Sequence, residues 1–367
     1  MKIGWVVPGF SAHEREWAIP ALDHFARALA ANNRLVIFAL EYPYQPATYS
    51  FFGATVHALA GRHRGKVYAP RLWANTFAAM RAEHLQQPFD VIHAFWVNEP
   101  GWLAQTSARI LRVPFIASVA GGELIALRAL NYGGQLDWIE RMMCDQVMRN
   151  ANCVTVGSRY LQTIAKKWRA DISVLPLGVD TARFTPRARS ESAREIKLLN
   201  VGSLVPVKGH ENLLEAVAQI PEASLEIIGG GFLKKDLARR ATELKISARV
   251  SFAGKIAHDA LAEKYRAADV VAQSSWHEAQ GMAILEAAAC GCAIAGTRVG
   301  ILPELAEQGG AIVTEKFASE ELRAAIKDAQ ARRAELGTRA RAMVEQDYAL
   351  NVVKEKWIAL YAQMAQK

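Results

Sequence analysis

Short apolar, β-branched runs alternate with longer amphipathic stretches along the whole chain, and this rhythm constrains the fold more than any other feature. In the first half the runs fall at residues 2–7, 34–40, 91–94, 114–119, 153–156 and 173–175. Helical spacing fills the gaps at 16–31, 74–84, 101–111, 136–150 and 159–167. The rhythm restarts at 197–201 and continues at 224–228, 250–253, 270–273, 293–295 and 311–313. Strand–helix–strand order predicts parallel sheets covered by helices on both faces.

A chain of 367 residues, 51% of them apolar, has enough material for two cores. The polar, Pro-containing stretch 184–195 (FTPRARSESARE) reads as the seam. The expected layout is an α/β domain over 1–186, a second over 187–349, and a terminal helix over 350–367 that packs back on the first domain. Trp357 and Tyr361, four residues apart, share one face of that helix. Doubly wound sheets take ligands at the carboxyl ends of their strands, so two such domains facing across a cleft would each hold one ligand.

The sequence contains no uninterrupted run of about 18 apolar residues, as a membrane span requires. The N-terminus MKIGWVVPGF lacks the long apolar core and cleavage site of a signal peptide. The expected location is therefore cytoplasmic, with peripheral contact at the inner face of the membrane as a variant. Cys144, Cys153, Cys290 and Cys292 are too few for a disulfide framework and lack zinc-site spacing; no metal site is expected. Net charge is +8, and it is uneven: residues 1–186 carry 19 Lys and Arg against 13 Asp and Glu. Arg62, His63, Arg64 and Lys66 cluster in one predicted loop, and Lys166, Lys167 and Arg169 end a helix. These groups either face anionic lipid or are solvated surface. No nucleic-acid motif accompanies them.

The strongest chemical signal is SSWHEAQGMAILE, residues 274–286, in which Glu278 and Glu286 are separated by seven residues. A strand precedes it and a helix begins near Gly281. Gly281 permits close backbone approach, and the free N–H groups at a helix start suit a diphosphate. Glu286, one to two turns into the helix, can accept hydrogen bonds from vicinal hydroxyls such as those of ribose. Glu278, in the loop before, can face a substituent on the phosphate. VGSLVPVKG (201–209) places Lys208 where it can neutralise a phosphate leaving group. IIGGG (227–231) is a glycine turn after a strand.

In order and spacing, GSLVPVKG (202–209), IGGG (228–231), FAG (252–254), YRAAD (265–269), the 274–294 element and GILPE (300–304) resemble the family 4 retaining glycosyltransferases. DVIHAF (90–95), GGEL (121–124), GSRYL (157–161) and PLGVDTARF (176–184) extend the resemblance into the first half. The resemblance implies a GT-B architecture of two Rossmann-like doubly wound domains. It also implies an enzyme that moves a sugar from a nucleotide-sugar to an acceptor hydroxyl, with retention and without metal or cofactor. Its donor would be a UDP-sugar first, with GDP- and ADP-sugars as alternatives; the acceptor is a sugar, a lipid-linked sugar or a small molecule. It assigns Glu286 to ribose, Gly281, Met282 and Ala283 to the diphosphate or sugar, Glu278 to the donor sugar, Lys208 to the diphosphate, and Gly230, Lys255 and Ile256 to the nucleotide. Ser203 stands where the family carries an arginine on the diphosphate, and Arg298 or Arg159 is the candidate to replace that charge. Ala120 stands where the family carries a histidine, and His93 is the candidate to replace it. Gly9, Gly121, Gly122 and Glu123 fall on the acceptor side; Glu123 either binds a hydroxyl or caps a helix. Residues 14–17 are expected to open the first helix, and Tyr132-Gly133-Gly134 to form a mobile loop. The alternatives are another GT-B enzyme, an epimerase or hydrolase of nucleotide-sugars, and a non-catalytic sugar-nucleotide-binding module.

Overall fold

The computed structural model describes residues 1–61, 70–187 and 195–366. The basic loop at Arg62, His63, Arg64 and Lys66 therefore lies outside the described residues, as does most of the expected linker. The chain divides into two compact units. The first comprises Met1–Gly157, Leu161–Gly178 and Leu350–Lys367, and the second Ser158–Tyr160 and Val179–Ala349.

The first unit holds an eight-stranded sheet: β1 (Lys2–Gly9), β2 (Arg34–Tyr42), β3 (Ala47–Phe51), β4 (Ala54–Ala58), β5 (Val91–Phe95), β6 (Phe115–Val119), β7 (Cys153–Val156) and β8 (Ile172–Val174). Their spatial order is β3-β4-β2-β1-β5-β6-β7-β8. All neighbours are parallel except the β3/β4 hairpin. The central strands are near-continuous apolar runs because helices cover both faces. The hairpin was not among the predicted strands. Its signal is period-two alternation on either side of Phe52-Gly53, whose φ values of 43° and 89° match a tight hairpin turn.

The first helix runs Pro20–Ala30, not from residue 16. Glu16 is occupied elsewhere: its carboxylate accepts from Ala12 N–H at 2.6 Å and from the Tyr42 hydroxyl. Pro20, with no N–H to satisfy, then opens the helix. The terminal helix Leu350–Ala365 lies in the first unit. Trp357 and Tyr361 enter a core that contains Trp5, Phe25 and Phe95, and Trp357 Nε1 donates to Pro176 O at 2.9 Å.

The second unit is a six-stranded all-parallel sheet of β9 (Ile196–Val201), β10 (Ala223–Ile228), β11 (Val250–Gly254), β12 (Val270–Gln273), β13 (Ala293–Thr297) and β14 (Ile312–Thr314). Its order is β11-β10-β9-β12-β13-β14. Alternate residues of one strand enter opposite cores: Leu199 and Val271 on one face, Leu198 and Val270 on the other. The direction of winding reverses between β9 and β12, the switch point where such sheets bind ligands. The division between the units falls at Gly178/Val179 rather than within 184–195. Val179 and Phe184 are buried in the second unit's core beside Tyr265, and Val179 bridges to Ala349. Among the described residues no helix is long and apolar enough to cross a membrane. Cys144, Cys290 and Cys292 are buried thiols, and burial pushes the Cys290 thiol up to about 12.

Candidate active site

In the second unit the loops after β9, β10, β11 and β12 gather most of the predicted donor residues. Gly202 N–H donates to Ile228 O and Leu204 N–H to Gly230 O, both at 2.9 Å, so the GSLVPVKG loop is pinned to the glycine turn. Two glycines make this approach possible. A Cβ at Gly229 (φ +149°) would lie 2.0 Å from Gly202 O. A Cβ at Gly209 (φ +61°) would lie 2.1 Å from Ser274 O, in the β12 loop. Ser274 Oγ donates to Lys208 O at 2.9 Å and Trp276 N–H to Val207 O at 2.7 Å, closing the β9 and β12 loops on each other.

That closure sets the charged centre. Lys208 Nζ lies 2.6 Å from Glu278 Oε1, which also accepts from Ser275 Oγ at 2.7 Å. Both side chains of the ion pair keep some solvent access. The helix Met282–Ala289 starts at Gly281, whose φ of +98° an L side chain rarely adopts. Its first bond runs from Ile284 N–H to Gly281 O at 3.0 Å, so the N–H groups of Met282 and Ala283 precede the hydrogen-bonded ladder. Lys208 and this helix start offer an anion both charge and oriented donors.

Glu286 is buried one turn further on. Its Oε1 hydrogen-bonds to His258 Nε2 at 2.8 Å, and its Oε2 accepts from the Tyr265 hydroxyl at 3.0 Å. Each carboxylate oxygen has two lone pairs, which leaves a further acceptor position on each for a diol. Burial and the adjacent carboxylate push the Tyr265 hydroxyl well up, so it stays a donor. Sequence reasoning missed His258, which lies 28 residues from its partner in a stretch with no motif of its own. Tyr265 stood within YRAAD without an assigned role. The side chain of Lys255 packs on Gly230, where a Cβ would sit 3.1 Å from its Cε. Ile256 is half-buried against the core.

The expected replacements for the missing arginine are engaged elsewhere. Ser203 is exposed; Arg298 pairs with Glu315, and Arg159 with Glu304 and Glu307. His277 hydrogen-bonds through Nδ1 to the Tyr160 hydroxyl at 3.2 Å. Burial, with Glu278 adding to it, raises the Tyr160 pKa.

In the first unit the expectation for His93 is corrected. The residue is 0% exposed, and both ring nitrogens are used: Nδ1 with the Tyr361 hydroxyl at 2.8 Å, Nε2 with Ser118 Oγ at 2.7 Å. Its ring stacks on Trp357 at 4.9 Å. It is a core histidine, recruited by the terminal helix. Glu123, also buried, accepts from Gly121 N–H at 2.6 Å, Ala120 N–H at 3.1 Å and Val97 N–H at 3.3 Å. Burial pushes its carboxyl up against the pull of these donors. It therefore holds the 120–123 turn together and does not cap a following helix. Gly122 is required by the Tyr132 ring, 2.6 Å from where a Cβ would sit. Residues 132–134 are tied down: Gly134 N–H donates to Gly122 O at 3.0 Å, and Tyr132 bridges to Leu127. Gly9 abuts Tyr42, whose Cβ would be 3.2 Å from a Cβ there.

Two buried histidines make stability acid-sensitive. Burial holds His93 down to about 3 and His210 to about 4, so both are neutral in the fold, whereas an unfolded histidine titrates near 6.5. Below that pH the unfolded chain binds protons that the folded chain refuses. Stability is complete above about pH 6.5 and falls by up to about 1.4 kcal/mol per pH unit for each histidine as pH drops toward 4. Urea titrations between pH 7 and pH 4.5 should show this loss, with a shallower slope in His210→Leu. An unchanged midpoint across that range would refute it.

Residues 183–345 match the family described as glycosyl transferases group 1, and residues 21–183 the family described as glycosyltransferase family 4. The chain is 33% identical over 272 residues to a D-inositol 3-phosphate glycosyltransferase of Mycolicibacterium smegmatis, across 66% of this chain and 61% of that protein. Its match thus spans less than two thirds of that relative. Among solved structures it resembles sucrose-phosphate synthase from Thermosynechococcus elongatus, with a TM-score of 0.79 at 23% identity over 99% of this chain and 98% of that one. It also resembles the Anabaena protein HepE in complex with UDP-glucose, with a TM-score of 0.77 at 19% identity over 99% and 100%. At these identities the structural likeness establishes the fold, which is GT-B. With each half of the chain matched to its own glycosyltransferase family and the motif residues gathered at the switch point of the second sheet, the chain belongs to the family 4 glycosyltransferases.

Proposed function

We infer that the chain transfers a sugar from a nucleotide-sugar to an acceptor hydroxyl, with retention at the anomeric carbon and without a metal ion. The carrying observation is the triple arrangement of Lys208, the helix start at Gly281 and buried Glu286. It offers one feature each to the diphosphate, its oxygens and a ribose diol. Lys208 and the N–H groups of Met282 and Ala283 supply the positive field that a departing diphosphate needs. Glu278 is held by Lys208 and Ser275 in the donor-free state. Phosphate oxygens compete for Lys208 on binding and release Glu278 toward the sugar hydroxyls. The acceptor hydroxyl then attacks on the face the nucleotide leaves, and its proton passes to the leaving phosphate.

The HepE complex with UDP-glucose makes a UDP-sugar the first donor to test, and the name of the mycobacterial relative makes D-inositol 3-phosphate the first acceptor. Gly9, Gly121 and Gly122, packed against Tyr42, Trp96 and Tyr132, belong to the acceptor side of this reading. A thermal-shift series with UDP-, GDP- and ADP-glucose should single out one base. At a hundredfold excess over the dissociation constant, the bound nucleotide adds about 2.7 kcal/mol. No shift with any of the three would remove the reading.

A further inference from the structure

The first unit has a polar cavity away from the carboxyl ends of its strands. It measures about 400 Å³ and opens between the helices Glu99–Leu111 and Trp138–Asn150. Its wall includes Gln105, Arg109, Arg112, Gln146, Asn150 and Asn152. Phe115, the first residue of β6, also lines it, which places it at the amino-terminal edge of the sheet. None of the motif residues reaches it.

Two observations point to a ligand. Arg109 and Arg112 are exposed and form no ion pair among the described residues, which leaves both guanidiniums open to an anion. A helix C-terminus favours a nearby cation, which accounts for part of this placement. It does not account for Gln105. That residue is 8% exposed; its Nε2 donates to Gln146 O at 3.4 Å, while its Oε1 is buried with no partner. A buried carbonyl without a donor is costly. The two guanidiniums suit an anion, and the amide of Gln105 in the cavity wall suits a hydroxyl carried on it.

The surroundings indicate how such a ligand arrives. A second cavity of about 510 Å³ shares Gln146 and Asn150 with the first and is lined by Trp138, Met142, Arg141 and Arg149. Trp138 is 66% exposed, Met142 51% and Ile110 56%. Arg141 and Arg149 also form no ion pair among the described residues. Asp145, the one carboxylate lining this second cavity, accepts from Trp168 Nε1 at 2.6 Å. Exposed tryptophan beside unpaired arginine suits the boundary between water and anionic lipid.

We propose that the cavity at Gln105, Arg109 and Arg112 binds a phosphate ester carrying free hydroxyls, presented by an anionic lipid surface on which Trp138, Met142 and Ile110 rest. The test is co-sedimentation of the full chain with phosphatidylcholine vesicles, with and without a third of phosphatidylglycerol. Calorimetry with soluble glycerol 3-phosphate forms a second arm. Arg109→Gln/Arg112→Gln should weaken binding to the anionic vesicles roughly tenfold or more. The same charge change placed elsewhere, Arg71→Gln/Arg81→Gln, should leave most of it. Trp138→Ser should weaken the vesicle arm alone. Binding of glycerol 3-phosphate that is lost in the Arg109/Arg112 pair, without vesicle binding, would keep the phosphate-ester site and assign it a soluble ligand. Binding in neither arm, or equal loss in both arginine pairs, would overturn the proposal. Circular dichroism of each variant establishes that a loss is not unfolding; all four arginines are exposed.

Discussion

Lys208→Ala should lower kcat/KM by about 10²–10³, the usual effect of removing one preorganised charge from a site of charge development. The expectation rests on the 2.6 Å contact of Lys208 Nζ with Glu278 and on the Gly209 turn that fixes the Lys208 backbone against Ser274. Glu278→Gln should cost about tenfold to a hundredfold, mainly in kcat, because it keeps the shape and the Ser275 hydrogen bond but loses the charge. The two effects should not add. In the donor-free state each side chain holds the other, so the double variant should be less impaired than the product of the singles. Release of nucleoside diphosphate in the presence of an acceptor is the readout. Full activity in Lys208→Ala would remove Lys208 from the diphosphate site, and the assigned chemistry with it.

Glu286→Ala should have two separable consequences. Nucleotide affinity should fall roughly a hundredfold, as expected for losing two hydrogen bonds to a charged acceptor. Folding stability should also fall, by about 2 kcal/mol or more, because the change strips Tyr265 and His258 of their carboxylate partner inside the core. Glu286→Gln distinguishes the two. Its amide oxygen still accepts from Tyr265, so most of the stability should return, while affinity stays about tenfold down. Calorimetry with the preferred nucleoside diphosphate and urea unfolding measure the two effects. If Glu286→Gln binds nucleotide as tightly as the parent chain, Glu286 is a structural carboxylate and the ribose lies elsewhere.

The residues proposed for the donor could be read from the sequence because they are local. Lys208, Gly230, Glu278, Gly281 and Glu286 all lie in the loops after β9, β10 and β12 or in the helix that follows β12, and in a doubly wound sheet the segments that leave one edge of the strands gather at one site. Once alternation established parallel sheets, the placement of these residues followed. What stayed hidden was contributed from afar. His258 meets Glu286 across 28 residues, and no periodicity announces such a pair. The residues proposed for the acceptor side were less legible, since glycine and glutamate in a turn read alike whether they bind a ligand or brace the backbone. Glu123, spending its carboxylate on three backbone N–H groups, braces.

His93 marks the boundary between sequence and tertiary structure. Its place in a buried strand, the two α/β units and the strand–helix order followed from the sequence, because apolar periodicity reports which backbone segments must leave water. Whether its imidazole would work or merely pack was decided 268 residues away, where the terminal helix returns to the first unit and presents Tyr361 to Nδ1. A side chain's role depends on what else occupies its hydrogen-bonding positions, and in a fold closed by its last helix those partners are brought together only by the finished structure.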